Sequence, residues 1–141
     1  MLEIRTSARW MPASLTWRVL GKTTAMNDLN VRSRTAIAGA TGYIGGRLVP
    51  QLLSSGYPVR CLVRTPRKLQ DRTWSDDPGV EIVQADLENP DSLSKTLQDC
   101  AFAFYLVHSM TSAGSGYAEQ DLNLARSFAS AARKAGVQRI I

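Results

Sequence analysis

A cluster of glycines, set between a short apolar run and an amphipathic segment, constrains this chain more than any other feature. The apolar run 36–38 leads into GATGYIGG at 39–46. Apolar residues of the following segment recur at helical spacing, at Ile44, Leu48, Leu52 and Leu53. The pattern predicts a strand, a tight turn and a helix that carries these apolar residues on one face.

The glycine spacing favours binding of a doubly charged anion at the helix start. A pyrophosphate can approach the free N–H groups of a helix N-terminus only where no side chain blocks them. Gly39 can make the bend, Gly42 can let the backbone approach the phosphates, and Gly45 can let the helix pack closely on the strand. The helix dipole adds about half a positive charge there. The sequence therefore predicts a dinucleotide site, and the alternative is a strand-to-helix turn with no ligand.

A loop for nucleoside triphosphates is a poor alternative at the same position. Such a loop ends in Gly-Lys-Ser/Thr, whereas here Gly46 is followed by Arg47 and Leu48.

The residues after the second predicted strand, 58–63, bear on the choice of cofactor. Sites that prefer NAD carry an acid here that bonds the ribose 2′-OH, whereas a basic residue accommodates a 2′-phosphate. This chain offers Arg64, Arg67 and Lys68 and no acid. Guanidinium groups pair well with phosphate. The loop therefore favours NADP over NAD, and the alternative is a solvated basic surface.

Two further strand ends carry polar residues. Strand 80–85 is followed by Asp86 and Leu87, and the apolar strand 101–107 by His108. The carboxyl ends of parallel strands are where ligands bind in open α/β sheets. His108 could contact the nicotinamide ribose or a substrate. The alternatives are a plain strand-end carboxylate and an ordinary loop histidine.

The remaining pattern completes a series of alternating strands and helices. Asn89, as a cap before Pro90, starts a short helix, and a longer one covers 117–135. The core positions expected on these helices are Leu93, Leu97, Leu122, Ala125, Phe128, Ala129 and Ala132. A fifth strand begins at 137, and an unfinished parallel strand is an unusual terminus. We therefore expect a fragment, cut within or just after that strand.

Charge and cysteine content limit the function classes. Residues 1–33 are expected to be a disordered extension or the product of a misassigned start, and 34–141 one domain. The net charge of +5 is concentrated in the first 34 residues, so the domain offers no basic face to nucleic acid. Cys61 and Cys100 lack metal-ligand spacing and predict buried, reduced thiols in a cytoplasmic protein. No apolar run is long enough to cross a membrane.

With GATGYIGG, RTPRK, Asp86-Leu87 and YLVHSM in place, residues 35–141 resemble the NAD(P)-binding, NmrA-like atypical branch of the short-chain dehydrogenase/reductase superfamily. The resemblance implies a Rossmann-type doubly wound parallel sheet with strand order 3-2-1-4-5. It places the glycine motif at the pyrophosphate, Arg64 near the ribose phosphate, Asp86 and Leu87 beside adenine, and His108 and Ser109 near the nicotinamide. The candidate cofactor-binding residues are Gly39, Thr41, Gly42, Tyr43, Ile44, Gly45, Arg64, Arg67, Asp86, Leu87 and His108.

The resemblance leaves the activity open. The superfamily's Tyr-x-x-x-Lys pair follows the fifth strand, where this chain has stopped, so no catalytic residue is assigned. One hypothesis is the cofactor-binding part of an NADP-dependent oxidoreductase acting on an unknown small molecule. A second is a non-enzymatic dinucleotide sensor, and a third is an inactive fragment.

Overall fold

The computed structural model describes residues 34–108 and 117–141 as one parallel sheet with helices on both faces. The predicted extension 1–33 and Ser109 lie outside the described residues. The strands are β1 (Arg34–Ala38), β2 (Val59–Val63), β3 (Val80–Gln84), β4 (Cys100–Tyr105) and β5 (Arg139–Ile140). The helices are α1 (Tyr43–Ser54), α2 (Pro90–Thr96) and α3 (Tyr117–Ala135), with a 3₁₀ turn at Pro66–Leu69. The strand order β3-β2-β1-β4-β5 confirms the predicted Rossmann-type fold.

Two apolar layers cover the central strands because the inner strands are apolar on both faces. On one face α2 and α3 pack through Leu93, Leu97 and Phe128, all nearly or fully buried. On the other face α1 packs through Val49, together with Leu69. Cys61 and Cys100 are buried free thiols, one in each layer.

Local signals fix the ends of several elements. Gly56, just past the end of α1, has a φ of 80°, the left-handed conformation that glycine adopts without strain. The Asn89 side chain accepts a hydrogen bond from the Ser92 N–H at 3.1 Å and caps α2, with Pro90 at the first helical position. Within the described residues, no helix is long and apolar enough to cross a membrane.

Two predicted core positions are wrong. Leu122 is 48% exposed, and Ala129 is exposed as well. Among the described side chains of α3, the buried ones are Phe128, Ala131 and Ala132. Helical spacing gives the period of an apolar face but does not show which positions at its border contact the sheet. In α1, Ile44 is 64% exposed although it lies on the apolar face, and the buried positions are Gly45 and Val49.

Candidate functional site

The glycine turn follows β1 directly and has little room for side chains. Gly39 has a φ of 99°, and a Cβ there would lie 2.7 Å from the carbonyl oxygen of Leu106. The same Gly39 accepts a hydrogen bond from the Gly42 N–H at 3.0 Å, which closes the turn. Gly39 is therefore required by both the backbone conformation and the neighbouring segment, as its role in the bend predicts.

Gly45 lets α1 approach the turn closely. A Cβ on Gly45 would clash with the carbonyl oxygen of Gly39 and would lie 2.7 Å from the Cα of Ala40. Gly42 differs, because its φ of −77° suits any residue and a Cβ there would meet only Gly39 oxygen, at 3.4 Å. Steric demands of the fold explain Gly39 and Gly45, but they do not explain Gly42.

The N-terminus of α1 is open. Its cap residue is Gly42, and the first turn contains no acid. Among the described residues, no side chain accepts a hydrogen bond from that turn. The first helical bond at this end joins the Gly46 N–H to the Gly42 oxygen at 2.9 Å, so the N–H groups of residues 43–45 have no partner within the helix. Tyr43 and Ile44, the first two residues of the helix, are 76% and 64% exposed. This bare, partly positive end fits a pyrophosphate.

The predicted basic residues lie in the loop after β2. Arg64 and Arg67 are both exposed, Arg64 directly after the strand and Arg67 within the 3₁₀ turn. The Arg64 carbonyl accepts a hydrogen bond from the Gln84 side chain at 3.3 Å, which fixes the start of the loop against the end of β3. Among the described residues, neither guanidinium forms an ion pair. Both remain available to an anion.

Asp86 and Leu87 follow β3. Asp86 is exposed, and one of its carboxylate oxygens accepts a hydrogen bond from the Glu88 N–H at 3.0 Å. This bond stabilises the turn that contains Asp86. Leu87 is half-buried, and its carbonyl accepts a hydrogen bond from the Ser127 hydroxyl of α3 at 3.1 Å. Leu87 also lines an open cavity of about 460 Å³ between this loop and α3, together with Asn123.

His108 lies beyond β4 and contacts α3. Its Nδ1 is 3.1 Å from a carboxylate oxygen of Asp121, and its side chain is 74% exposed. Asp121 also acts on Tyr105, whose pKa is raised by burial and further by the nearby Asp121 charge. Asp121 was not predicted, because nothing in the pattern of α3 distinguishes it from other polar helix positions.

The structure brings the predicted residues to one edge of the sheet. Gly39, Arg64, Asp86 and His108 follow β1, β2, β3 and β4, and all four strands are parallel. The segment after β4 is also held to the end of β1, because the Leu106 N–H donates a hydrogen bond to the Ala38 carbonyl oxygen at 2.9 Å.

One residue at this edge was not predicted. Arg72, in the irregular segment after the 3₁₀ turn, donates a hydrogen bond from Nη2 to the Thr41 carbonyl at 3.1 Å. Thr41 itself is exposed, between Ala40 and Gly42 in the glycine turn. No sequence motif connects two residues 31 positions apart.

Comparison with known proteins gives a family match over most of the described chain. The family model described as NAD(P)H-binding matches residues 39–141. Cinnamoyl-CoA reductase 2 of Arabidopsis thaliana is 31% identical over 109 residues, which cover 74% of this chain and 33% of that protein. Photosystem II assembly factor Ycf39 of Cyanophora paradoxa is 30% identical over 106 residues, with 74% and 32% covered.

A solved structure is also similar. The NADPH-dependent quinone oxidoreductase of Escherichia coli, in complex with NADPH, has a TM-score of 0.60 and 28% identity, over 75% of this chain and 35% of that one. The chain spans about a third or less of the length of the curated relatives it matches.

Proposed function

Because the chain belongs to the NAD(P)H-binding family, we propose that it binds NADPH in preference to NADH and serves as the cofactor-binding part of an oxidoreductase. The observation that carries this proposal is the open N-terminus of α1, where a glycine cap leaves backbone N–H groups with no side-chain partner in the part of the chain that the structure describes. A dinucleotide pyrophosphate has the charge and size that such a site accepts.

The basic loop supports the choice of NADPH. Arg64 and Arg67 are exposed at the end of β2, the strand beside β1, and a guanidinium pairs with phosphate through two parallel hydrogen bonds. The similar quinone oxidoreductase of Escherichia coli is NADPH-dependent by its description. In this proposal the two arginines bind the 2′-phosphate, and the absence of an acid after β2 removes the usual partner of a free 2′-OH.

The other residues at the edge take the remaining parts of the ligand. Asp86 and Leu87 lie beside adenine and its ribose, and His108 faces the nicotinamide end. A bound nicotinamide supplies the hydride chemistry, while the chain's own groups hold and orient the cofactor. The second reactant is a small molecule bound by residues other than these. We place the protein in the cytoplasm, which two buried free cysteines support.

A dinucleotide sensor of the NmrA-like type is the second candidate. It is favoured by the similarity to Ycf39, a protein described as an assembly factor. The two functions share the same site and differ in the consequence of cofactor binding. Oxidation of NADPH in the presence of carbonyl or quinone compounds supports the oxidoreductase. Binding without any turnover, together with association with another protein that depends on the cofactor, supports the sensor.

The substitution Gly42→Ala tests the proposed site most directly. The backbone at Gly42 accepts alanine, and the nearest atom to the new Cβ lies at an ordinary contact distance. We therefore expect unchanged thermal unfolding but a loss of affinity for both NADPH and NADH, measured by fluorescence titration, because the methyl group stands where the phosphates approach. Ser130→Ala, on the exposed face of α3, is the control. Tight binding by Gly42→Ala would contradict the proposal.

A further inference from the structure

The guanidinium of Arg72, an exposed residue, contacts the backbone of the glycine turn. Nη2 donates to the Thr41 carbonyl at 3.1 Å, and Nη1 lies 3.3 Å from the position that a Cβ on Gly46 would take. The backbone that carries Arg72 is anchored, because its N–H bonds the Leu69 oxygen at 3.1 Å and Leu69 is fully buried. Arg72 therefore reaches the turn from a fixed base.

The contact with Thr41 controls one peptide group. The Thr41 oxygen and the Gly42 N–H belong to the same planar peptide. Arg72 binds the oxygen, while the N–H bonds the Gly39 oxygen at 3.0 Å. Both ends of this peptide are thus engaged immediately before α1. If the peptide rotated, its carbonyl oxygen could turn toward the open helix start and repel a phosphate.

Gly46 is the fourth glycine of GATGYIGG and has no role in the three-glycine pattern. Within a helix, glycine costs about 1 kcal/mol relative to alanine. A Cβ at position 46 would lie closer to the Arg72 guanidinium than is usual, so a side chain there would require the guanidinium to move by a few tenths of an ångström.

We propose that Arg72 is a positioning residue, which holds the Thr41–Gly42 peptide in the orientation that accepts a dinucleotide, and that Gly46 is glycine to admit the Arg72 side chain. The proposal rests on the proposed function for its ligand. Arg72 acts through the backbone on the pyrophosphate, which NADPH and NADH share, and its effect is therefore independent of the 2′-phosphate.

The first test compares the two cofactors. Arg72→Met should lower the affinities for NADPH and NADH to the same extent, by about fivefold, as expected for one lost hydrogen bond. Arg72→Lys retains a donor for Thr41 and should recover part of that affinity. Arg133→Met, at an exposed arginine of α3, should change neither. A loss confined to NADPH would show that Arg72 binds the 2′-phosphate directly, and unchanged affinities would exclude any role. Both results overturn the proposal.

The second test uses Gly46→Ala, where stability and affinity should move in opposite directions. Alanine raises helix propensity, so thermal unfolding should be unchanged or shifted upward, while the affinities for both cofactors fall. In the Arg72→Met background, Gly46→Ala should have no further effect on affinity. Additive losses would overturn the proposal. If the wild-type protein binds neither NADPH nor NADH, the proposed function is refuted. The Arg72 contact can then be tested without ligand, by amide hydrogen exchange at residues 42–45. Faster exchange in Arg72→Met than in the wild type would support the contact, and equal exchange would overturn it.

Discussion

His108 and Asp121 lie against each other between the end of β4 and α3, with 3.1 Å between the imidazole Nδ1 and a carboxylate oxygen. The contact directs Nδ1 toward α3, while the side chain stays 74% exposed at the edge that carries the glycine turn. Nε2, on the opposite side of the ring, is the histidine nitrogen that a ligand at this edge would meet.

The first prediction concerns this free side of the histidine. His108→Ala should lower the affinity for NADPH by about fivefold, equivalent to one hydrogen bond. The affinity for 2′,5′-ADP should be unchanged, because that ligand lacks the nicotinamide half. Both affinities are measured by calorimetric titration. Equal losses for the two ligands would show that His108 does not face the nicotinamide end.

The second prediction concerns the basic loop. Arg64→Glu should lower the affinity for NADPH by at least about tenfold, because a carboxylate repels the 2′-phosphate and a charge-assisted hydrogen bond is lost. The affinity for NADH, which lacks that phosphate, should change little. The two affinities are compared by fluorescence titration.

A matched charge reversal tests whether the effect is local. Arg126 is exposed on α3, and Arg126→Glu changes the net charge of the protein by the same amount. We expect this variant to bind both cofactors as the wild type does. Equal weakening of NADPH and NADH by Arg64→Glu, or no weakening at all, would identify the loop as a solvated surface.

The fold could be predicted because its signals are local. Gly56 lies directly after α1 with a positive φ, and Asn89 caps α2 through its own side chain. Each signal concerns a few consecutive residues, and the strands between them are short and mainly apolar. Leu122 and Ala129 were assigned to the core wrongly, because periodicity gives the spacing of an apolar helix face but not the positions at its border that contact the sheet.

The site could be predicted only in part. Gly39 and Arg64 could be named as candidates from the sequence, because the chemistry of a dinucleotide site requires particular residue types at a fixed distance from a strand end. Arg72 and Asp121 were missed, since each acts on a residue distant along the chain, Arg72 on Thr41 and Asp121 on His108. Such contacts depend on how loops and helices pack in three dimensions, and neither residue type nor spacing indicates them.

The third prediction concerns Cys61. Burial raises the pKa of this thiol from 9.0 to about 12, so in the native state it should resist alkylation at pH 8. In the unfolded chain the thiol ionises near pH 8.5, as free cysteine does. The folded state therefore binds the proton more tightly, and the stability from the neutral thiol is present below about pH 9 and lost as the pH rises toward 12.

The variant Cys61→Ala isolates this contribution. Urea unfolding across the same pH range should show a shallower loss of stability in the variant than in the wild type, because the lysines, the tyrosines and Cys100 titrate in both proteins. Rapid modification of Cys61 in the native protein, or identical pH dependence in the two proteins, would contradict the prediction.

The fourth prediction compares a partly buried ion pair with an exposed one. Arg60 is nearly buried, and its Nε lies 2.8 Å from a carboxylate oxygen of Glu81. Its Nη1 also donates to the carbonyl oxygens of Thr96 and Gln98, at 2.9 and 2.7 Å. Arg60→Met retains an apolar side chain of similar length but leaves these acceptors without their donor. Urea unfolding should show a loss of about 2 kcal/mol in the free energy of unfolding.

Lys134 provides the matched control. It pairs with Asp91 at 3.3 Å, but both side chains are largely exposed, and water replaces the contact when it is removed. Lys134→Ala should therefore change the free energy of unfolding by less than Arg60→Met does, in line with the small contribution of surface ion pairs. Because Arg60 joins β2 to the segment after α2, away from the cofactor edge, we also expect Arg60→Met to bind NADPH normally while it remains folded. A similar destabilisation by the two substitutions would mean that the Arg60 contacts contribute no more than a surface pair.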